Sequence, residues 1–300
     1  MDKSIGDNKK ILLIKRINYL YYKHLHDIYD ESHPEVFEGC KIIWEKYFIS
    51  HPVQRPVKII DIGCGTGFIY HIIQKLNIPC TSYIGLDYSR HMLNNIKRLK
   101  GSIKPICCVA DSSQLPLKSE CADIITINSA LHHFPQYNDV LNSIPSLLKQ
   151  GGLLIIGHEP NRDFYNSLLC RIVSSIYIRL GLGKKIAPDV VERINTDLIS
   201  ERLIESRLTS EGVIKNVEFN SPTDQSVSGI DPGKGFFIRE IDLLLLHRMR
   251  RTYTKTYTTF IYRKQLRPFF LISGLFNLGL RLLFGGGNQL FLVYKSQKYR

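Results

Sequence analysis

Two carboxylates and three glycines carry the most informative chemistry in this chain. Asp61 lies near the end of an apolar run, Val57 to Ile62, and Gly63, Gly65 and Gly67 follow at alternate positions. Glycines in such a turn let the backbone approach a ligand closely, because no Cβ stands in the way. Asp87, 20 residues beyond Gly67, ends the next apolar run. A carboxylate there can accept hydrogen bonds from both hydroxyls of a ribose. The competing role for Asp87 is a helix-start residue ahead of Tyr88 and Ser89.

The spacing of the glycines discriminates between nucleoside cofactors. A dinucleotide site uses Gly-x-Gly-x-x-Gly, with the pyrophosphate on the helix N-terminus. Here the pattern is Gly63-x-Gly65-x-Gly67, and Phe68 fills the sixth place. Asp61, two residues ahead of the loop, would repel a pyrophosphate but suits the cationic amino group of a methionine moiety. Both features favour S-adenosylmethionine over NAD.

These residues need a scaffold that presents strand ends to a ligand. Val57–Ile62, Tyr83–Leu86, Pro105–Ala110, Asp123–Asn128 and Leu153–Gly157 are short apolar runs expected to form buried strands. Helical stretches alternate with them, over Thr66–Leu76, from near Ser89, and from beyond Asn128 to Leu148. Alternation of this kind implies βαβ units in a parallel sheet with helices on both faces. Two helices, Ile14–Tyr29 and Pro34–Phe48, are expected ahead of the sheet. Beyond Pro160, helices are expected over Asn161–Leu180 and Thr196–Leu208, a sixth strand over Val213–Phe219 and a last strand over Gln289–Tyr294. The expected organisation is N-terminal helices (1–52), a Rossmann-like core (53–160), a helical segment (161–212), and two final strands (213–300) separated by a helical insertion (220–288).

Five segments in this order resemble the motifs of class I S-adenosylmethionine-dependent methyltransferases. The likeness is strongest to the broad small-molecule group, type 11, that includes the quinone methyltransferases. Asp61-Ile62-Gly63-Cys64-Gly65-Thr66-Gly67 is similar to the first motif and Gly85-Leu86-Asp87-Tyr88-Ser89 to the second. Ala110-Asp111-Ser112 is similar to the third, Asp123–Asn128 through Leu131-His132-His133-Phe134 to the fourth, and Leu148–Ile155 to that of strand five. The resemblance covers about Val57 to Glu159 and the last strand. It implies a seven-stranded, mostly parallel, Rossmann-like α/β sheet whose sixth and seventh strands form an antiparallel hairpin. It also implies that Asp111 accepts from the adenine amine with the Ser112 amide nearby, that Tyr88 packs on the adenine, and that Asn128 lines the methionine end. Local roles compete with each of these: a helix cap for Asp111, a core position for Tyr88, a turn bond for Asn128.

Methyl transfer from a sulfonium is an in-line displacement, so the protein mainly aligns the acceptor and excludes water. An oxygen or nitrogen acceptor also calls for a base. The candidates at strand ends are His132, His133, His158 and Glu159. Against them, a histidine here can simply pack at a helix start, and Glu159 can anchor the turn at Pro160. There is no Asn-Pro-Pro-Tyr motif at Asn128-Ser129-Ala130-Leu131, which departs from the amino-methylating DNA enzymes, and no double-glutamate loop of the arginine methyltransferases. A small-molecule acceptor is favoured, either hydrophobic or acidic and methylated on oxygen or carbon. RNA methylation and a catalytically silent cofactor-binding regulator are the alternatives.

Charge and cysteine content bound the rest. The chain carries a net charge of +13, and from Asp231 onward thirteen Lys and Arg face three acids. Such a basic tail suits an anionic membrane surface, an acidic substrate or nucleic acid, and equally a solvated face. Within it, Asp231–Leu283 is expected to form helices covering the pocket mouth, with Phe236, Phe237 and Leu243–Leu246 turned inward. Seven cysteines without a C-x-x-C pair argue against a disulfide frame or a zinc site and for a reducing compartment. No signal peptide and no apolar run of the roughly 20 residues needed to span a bilayer is found. The expectation is a cytoplasmic protein, with peripheral membrane contact open and oligomeric state undetermined.

Overall fold

The structure, a computed structural model, describes residues 3–33, 35–167, 192–194, 196–197, 200, 235–259, 279 and 286–297. Ahead of the sheet come α1 (Lys3–Leu25), the short α2 (Tyr29–Ser32), and a π-helical turn, Glu35–Cys40, that runs directly into α3 (Lys41–Ser50). The core then alternates: β1 (Val57–Ile62), α4 (Phe68–Lys75), β2 (Cys80–Asp87), α5 (Arg90–Lys97), β3 (Ile106–Val109), β4 (Ala122–Asn128), α6 (Tyr137–Leu147) and β5 (Leu148–Pro160). After α7 (Arg162–Asn166), only residues 192–194, 196–197 and 200 are described ahead of residue 235, and α8 (Ile238–Leu245) then leads to β6 (Met249–Tyr257). The last strand is β7 (Gln289–Ser296).

The seven strands lie in the order β3-β2-β1-β4-β5-β7-β6. Strands one to five are parallel, while β7 runs antiparallel to both β5 and β6. The strand order reverses between β1 and β4, which leaves a crevice at their carboxyl ends, the place where open α/β sheets bind ligands.

Successive side chains along a strand face opposite sides of the sheet. Ile60, Ile125, Ile156 and Leu292 accordingly join one core, with Leu141 and Ile144 of α6 and with Ile241 and Leu245 of α8. Ile59, Ile124, Ile155 and Val293 join the other, with Trp44 and Phe48 of α3 and Ile69 and Ile72 of α4. Burial on both faces explains the unbroken apolar runs that betray these strands in the sequence.

One expected element is corrected. The sixth strand of the sheet is Met249–Tyr257, inside the stretch read as a helical insertion. Val213–Phe219, the segment expected to supply it, lies outside the described residues, as does Thr196–Leu208 apart from Thr196, Asp197 and Ser200. Of Asn161–Leu180, the described part is helical only over Arg162–Asn166. The alternating Thr and Tyr of Thr252-Tyr253-Thr254 suit a strand, and the interleaved Arg and Lys suit the exposed edge that β6 forms.

The expected lid is also revised within the described residues. The helix α8, with Phe236 just ahead of it, packs beside α6, where the Tyr137 and Phe236 rings meet at 5.1 Å. Leu243 and Leu246 point outward. No residue of 235–259 lines the crevice; the N-terminal helices do.

Candidate cofactor and active site

The glycine turn is built as its sequence requires. Gly63, Gly65 and Gly67 all have positive φ, at 70°, 54° and 98°. This is a backbone conformation that side chains with a Cβ resist. At Gly63 a Cβ would also come within 2.5 Å of the Ala130 Cβ and 3.2 Å of Phe134. The turn therefore nests against the segment that follows β4. The amides of Gly63 and Cys64 donate to the Leu86 carbonyl at 2.8 and 3.1 Å, which ties the turn to β2.

Asp87 links the turn to the next helix. Its Oδ2 accepts from the Gly65 amide at 2.8 Å and its Oδ1 from the Ser89 amide at 2.8 Å. Burial pushes its carboxyl up to about 6 against these two bonds, and it faces the crevice. Ser89 in turn caps α5.

Asp61 stands elsewhere than expected. It is 1% exposed, absent from the crevice wall, and its oxygens accept from Tyr83 Oη and Thr126 Oγ1, both at 2.7 Å. These two partners stand on the neighbouring strands β2 and β4, so the carboxyl fastens three strands directly beneath the glycine turn. Burial pushes it up to about 6, despite the two hydroxyl donors. The sequence position is that of a ligand residue; the side chain is that of a strand tie.

The crevice is open at its mouth and spans about 970 Å³ of space, open solvent included. Gly63, Cys64, Gly65, Asp87, Tyr88, Asp111, Ser112 and Asn128 line it. Gly67 stands behind, where a Cβ would meet Ile96 at 2.9 Å. Tyr88 is 42% exposed, with its ring edge-on to Tyr19 at 6.1 Å. Asp111 Oδ1 accepts from the amide and hydroxyl of Ser113, and its Oδ2 from Lys15 Nζ at 2.7 Å. Burial would raise the Asp111 carboxyl, but Lys15 and Ser113 outweigh it and hold it below the usual carboxylate range.

A roof from the N-terminal helices, missed in the sequence, closes the crevice. Lys15, Asn18, Tyr19 and Tyr22 of α1 line it, with Tyr29 of α2 and Phe37 of the π-helical turn. The first four stand at i, i+3, i+4 and i+7, one face of a helix, and that periodicity was the available signal. Three further ties hold the roof: Asn18 Nδ2 donates to the His133 carbonyl at 3.1 Å, Thr66 Oγ1 to Asp30 at 2.6 Å, and Asn95 Nδ2 to the His26 carbonyl at 2.8 Å.

The four candidate bases separate. His133 lines the crevice, its ring edge-on to Tyr22 at 5.8 Å. The other three do not line it. Glu159 is fully buried, accepts from the amides of Ala130, Leu131 and His132, and bonds His132 Nδ1 at 2.7 Å. His158 is the bulge residue of β5, at φ 56°, and meets Tyr257 Oη at 3.0 Å. Burial, then the nearby His132 and His33, push it down to about 3, so it is neutral at physiological pH. No cluster of metal-ligating side chains occurs among the described residues, and no described helix is long and apolar enough to cross a membrane.

Crevice, glycine turn and strand-end carboxylate suit an adenosine-bearing ligand, and known proteins agree. Residues 54–171 match the family described as methyltransferase domain. The ubiquinone/menaquinone biosynthesis C-methyltransferase UbiE of Campylobacter jejuni is 27% identical over 143 residues, 45% of this chain and 60% of that protein. A demethylmenaquinone methyltransferase of Staphylococcus aureus is 28% identical over 120 residues, 40% of this chain and 50% of its own length. The chain thus spans between half and three fifths of the curated relatives it matches. Among solved structures, the complex between the Haloferax volcanii Trm112 methyltransferase activator and a methyltransferase contains a similar fold. Its TM-score is 0.55 at 12% identity, over 93% of this chain and 97% of that one. Over residues 54–171, the chain carries a class I methyltransferase domain of the S-adenosylmethionine-dependent kind.

Proposed function

We propose that this chain methylates a small, largely apolar acceptor of the quinol or phenol class, using S-adenosylmethionine. The observation that carries this reading is the aromatic lining of the crevice: the rings of Tyr19, Tyr22, Tyr29, Phe37 and Phe134 share it with the glycine turn and Asp87. An aromatic wall suits a flat ring better than a charged chain. The names of the two quinone-pathway relatives support the same acceptor class.

When bound, the cofactor supplies an electrophilic methyl group on a sulfonium. The chain's work is placement: Asp87 accepts from ribose hydroxyls, Tyr88 and Asp111 flank the base, and the α1 roof excludes water. We assign His133 as the residue that takes the proton from the acceptor hydroxyl, since among the four candidates it alone belongs to the crevice wall. Tyr22, edge-on to it, keeps the imidazole oriented. The basic residues beyond Asp231 support a peripheral contact with anionic lipid, which would deliver an apolar acceptor. Salt-sensitive co-sedimentation with anionic vesicles tests that arm.

The main test is methyl transfer from labelled S-adenosylmethionine to a reduced demethylquinone and to simple phenols. Activity that falls about 10²–10⁴-fold in His133→Gln, with cofactor affinity retained, is expected. Tight binding of NAD with no binding of S-adenosylmethionine would overturn the reading.

A further inference from the structure

The end of β4 holds a side chain whose orientation is decided by three residues outside the recognised motifs. Asn128 is 8% exposed and lines the crevice. Its Oδ1 accepts from Trp44 Nε1 at 2.7 Å and from Cys40 Sγ at 3.3 Å. An indole N–H can only donate. Burial pushes the Cys40 thiol up to about 12, so it too keeps its proton and donates. With two donors on one end, the amide has a single orientation, and its two oxygen lone pairs are taken.

Gly157 makes this approach possible. It pairs with Asn128 across the β4–β5 ladder. A Cβ on Gly157 would lie 2.7 Å from Asn128 Oδ1, 2.7 Å from Trp44 Nε1 and 2.9 Å from Trp44 Cε2. The indole itself is immobile: Trp44 is fully buried, edge-on to Phe291 at 5.0 Å. The remaining group, Asn128 Nδ2, donates to no protein atom among the described residues, yet it is not sealed in the core. Two N–H bonds are thus held toward the crevice at β4.

Position says what they meet. Asp111 and Asp87 mark the crevice beside β3 and β2, while Gly63 and Asn128 mark it beside β1 and β4. A nucleoside lying along that row carries its amino-acid portion at the β1–β4 end. A donor-only group there rejects an ammonium and suits a carboxylate.

We propose that Trp44 is a positioning residue: with Cys40 and Gly157, it locks Asn128 so that Nδ2 donates to the carboxylate of the ligand's amino-acid portion. This rests on the cofactor reading above. The experiment compares two ligands by calorimetry, S-adenosylhomocysteine, which has the amino-acid portion, and 5′-methylthioadenosine, which lacks it. Trp44→Phe removes the N–H and keeps an aromatic ring. It is expected to weaken S-adenosylhomocysteine at least threefold and leave methylthioadenosine within twofold. Asn128→Asp, which sets an anion against the carboxylate, is expected to cost S-adenosylhomocysteine at least tenfold with the same selectivity. Asn128→Asp, nearly isosteric, serves if Trp44→Phe fails to fold. An unchanged affinity for S-adenosylhomocysteine in a folded Trp44→Phe or in Asn128→Asp, or equal losses for both ligands, overturns the assignment. If the wild-type chain binds neither ligand, the cofactor reading fails first and the assignment with it.

Discussion

Glu159 Oε2 lies 2.7 Å from His132 Nδ1, and the same carboxylate accepts the backbone amides of Ala130, Leu131 and His132. The pair spans from β5 to the turn after β4. It sets the segment whose next residue, His133, enters the crevice wall. Glu159 is a candidate base in sequence and acts as the anchor of a turn in three dimensions.

Removal of that anchor strands four donors in a dry environment. Glu159→Ala is expected to destabilise the fold by about 1–3 kcal/mol or more, the usual cost of leaving buried donors without their acceptor. Urea denaturation measures it. A change within 0.5 kcal/mol, roughly the surface-substitution range, would show that the turn stands without the carboxylate.

Cofactor affinity is expected to depend on Asp87 and on pH. Asp87→Ala should weaken S-adenosylhomocysteine by about 1.5–3 kcal/mol, as expected for charge-assisted hydrogen bonds. The Asp87 carboxyl is raised to about 6, so its ionised, fully accepting form prevails above that pH. Affinity should therefore fall as pH drops below about 6, and Asp87→Asn should flatten that dependence. Calorimetry across pH 5 to 7, about one unit either side of the Asp87 value, checks both. A wild-type curve parallel to that of Asp87→Asn would exclude Asp87 as the titrating group.

Asp123 is shifted in the opposite direction from Asp87 and gives a stability prediction. It accepts from the Lys58 amide at 2.9 Å, from Lys149 at 2.9 Å and from Arg55 at 2.8 Å. Burial would raise its carboxyl, but these donors outweigh it and hold it at about 2. A depressed folded-state value means stability that is present above the ordinary carboxylate range and lost as pH falls toward 2. Asp123→Asn should cost about 1–3 kcal/mol at neutral pH and progressively less on acidification. Paired denaturation curves at pH 7 and pH 3 compare the two forms, and a gap that widens in acid contradicts the assignment.

Lys15 ties the roof to the site. Lys15→Met keeps the aliphatic stem but loses the bonds to Asp111 and Ser113. Hydrogen exchange in α1 is expected to accelerate while β1 and β4 stay protected. Equal protection in both forms would mean that packing around Ile17 and Leu20 holds α1 alone.

The central parallel strands β1, β4 and β5 were legible because they are largely buried on both faces and so read as solid apolar runs, Ile59-Ile60 or Ile155-Ile156 for example, whereas β3 at the rim is partly exposed. The glycine turn and Asp87 were legible because their chemistry is local. The roof was not, because Lys15 meets Asp111 only through tertiary packing, across 96 positions of chain. The same holds for Trp44 and Asn128, 84 positions apart. Met249–Tyr257 was misread because its edge position allows Arg250, Arg251 and Lys255 within a strand, which broke the apolar signal. Glu159 and Asp61 show the reverse error: an acid at a strand end announces ligand chemistry, while burial had committed each to the protein's own donors.

The last described strand, β7, is inserted between β5 and β6 rather than added at a rim. During ribosomal synthesis β5 therefore emerges with one bonding edge bare and keeps it bare until residues 289–296 arrive. Bare strand edges recruit other chains, so the nascent protein passes through a long interval in which it is open to aggregation. A chaperone that retains the chain through that interval would raise the yield of folded protein. A stop codon just ahead of Gln289 would be expected to leave insoluble product, even though every residue lining the crevice had already been made.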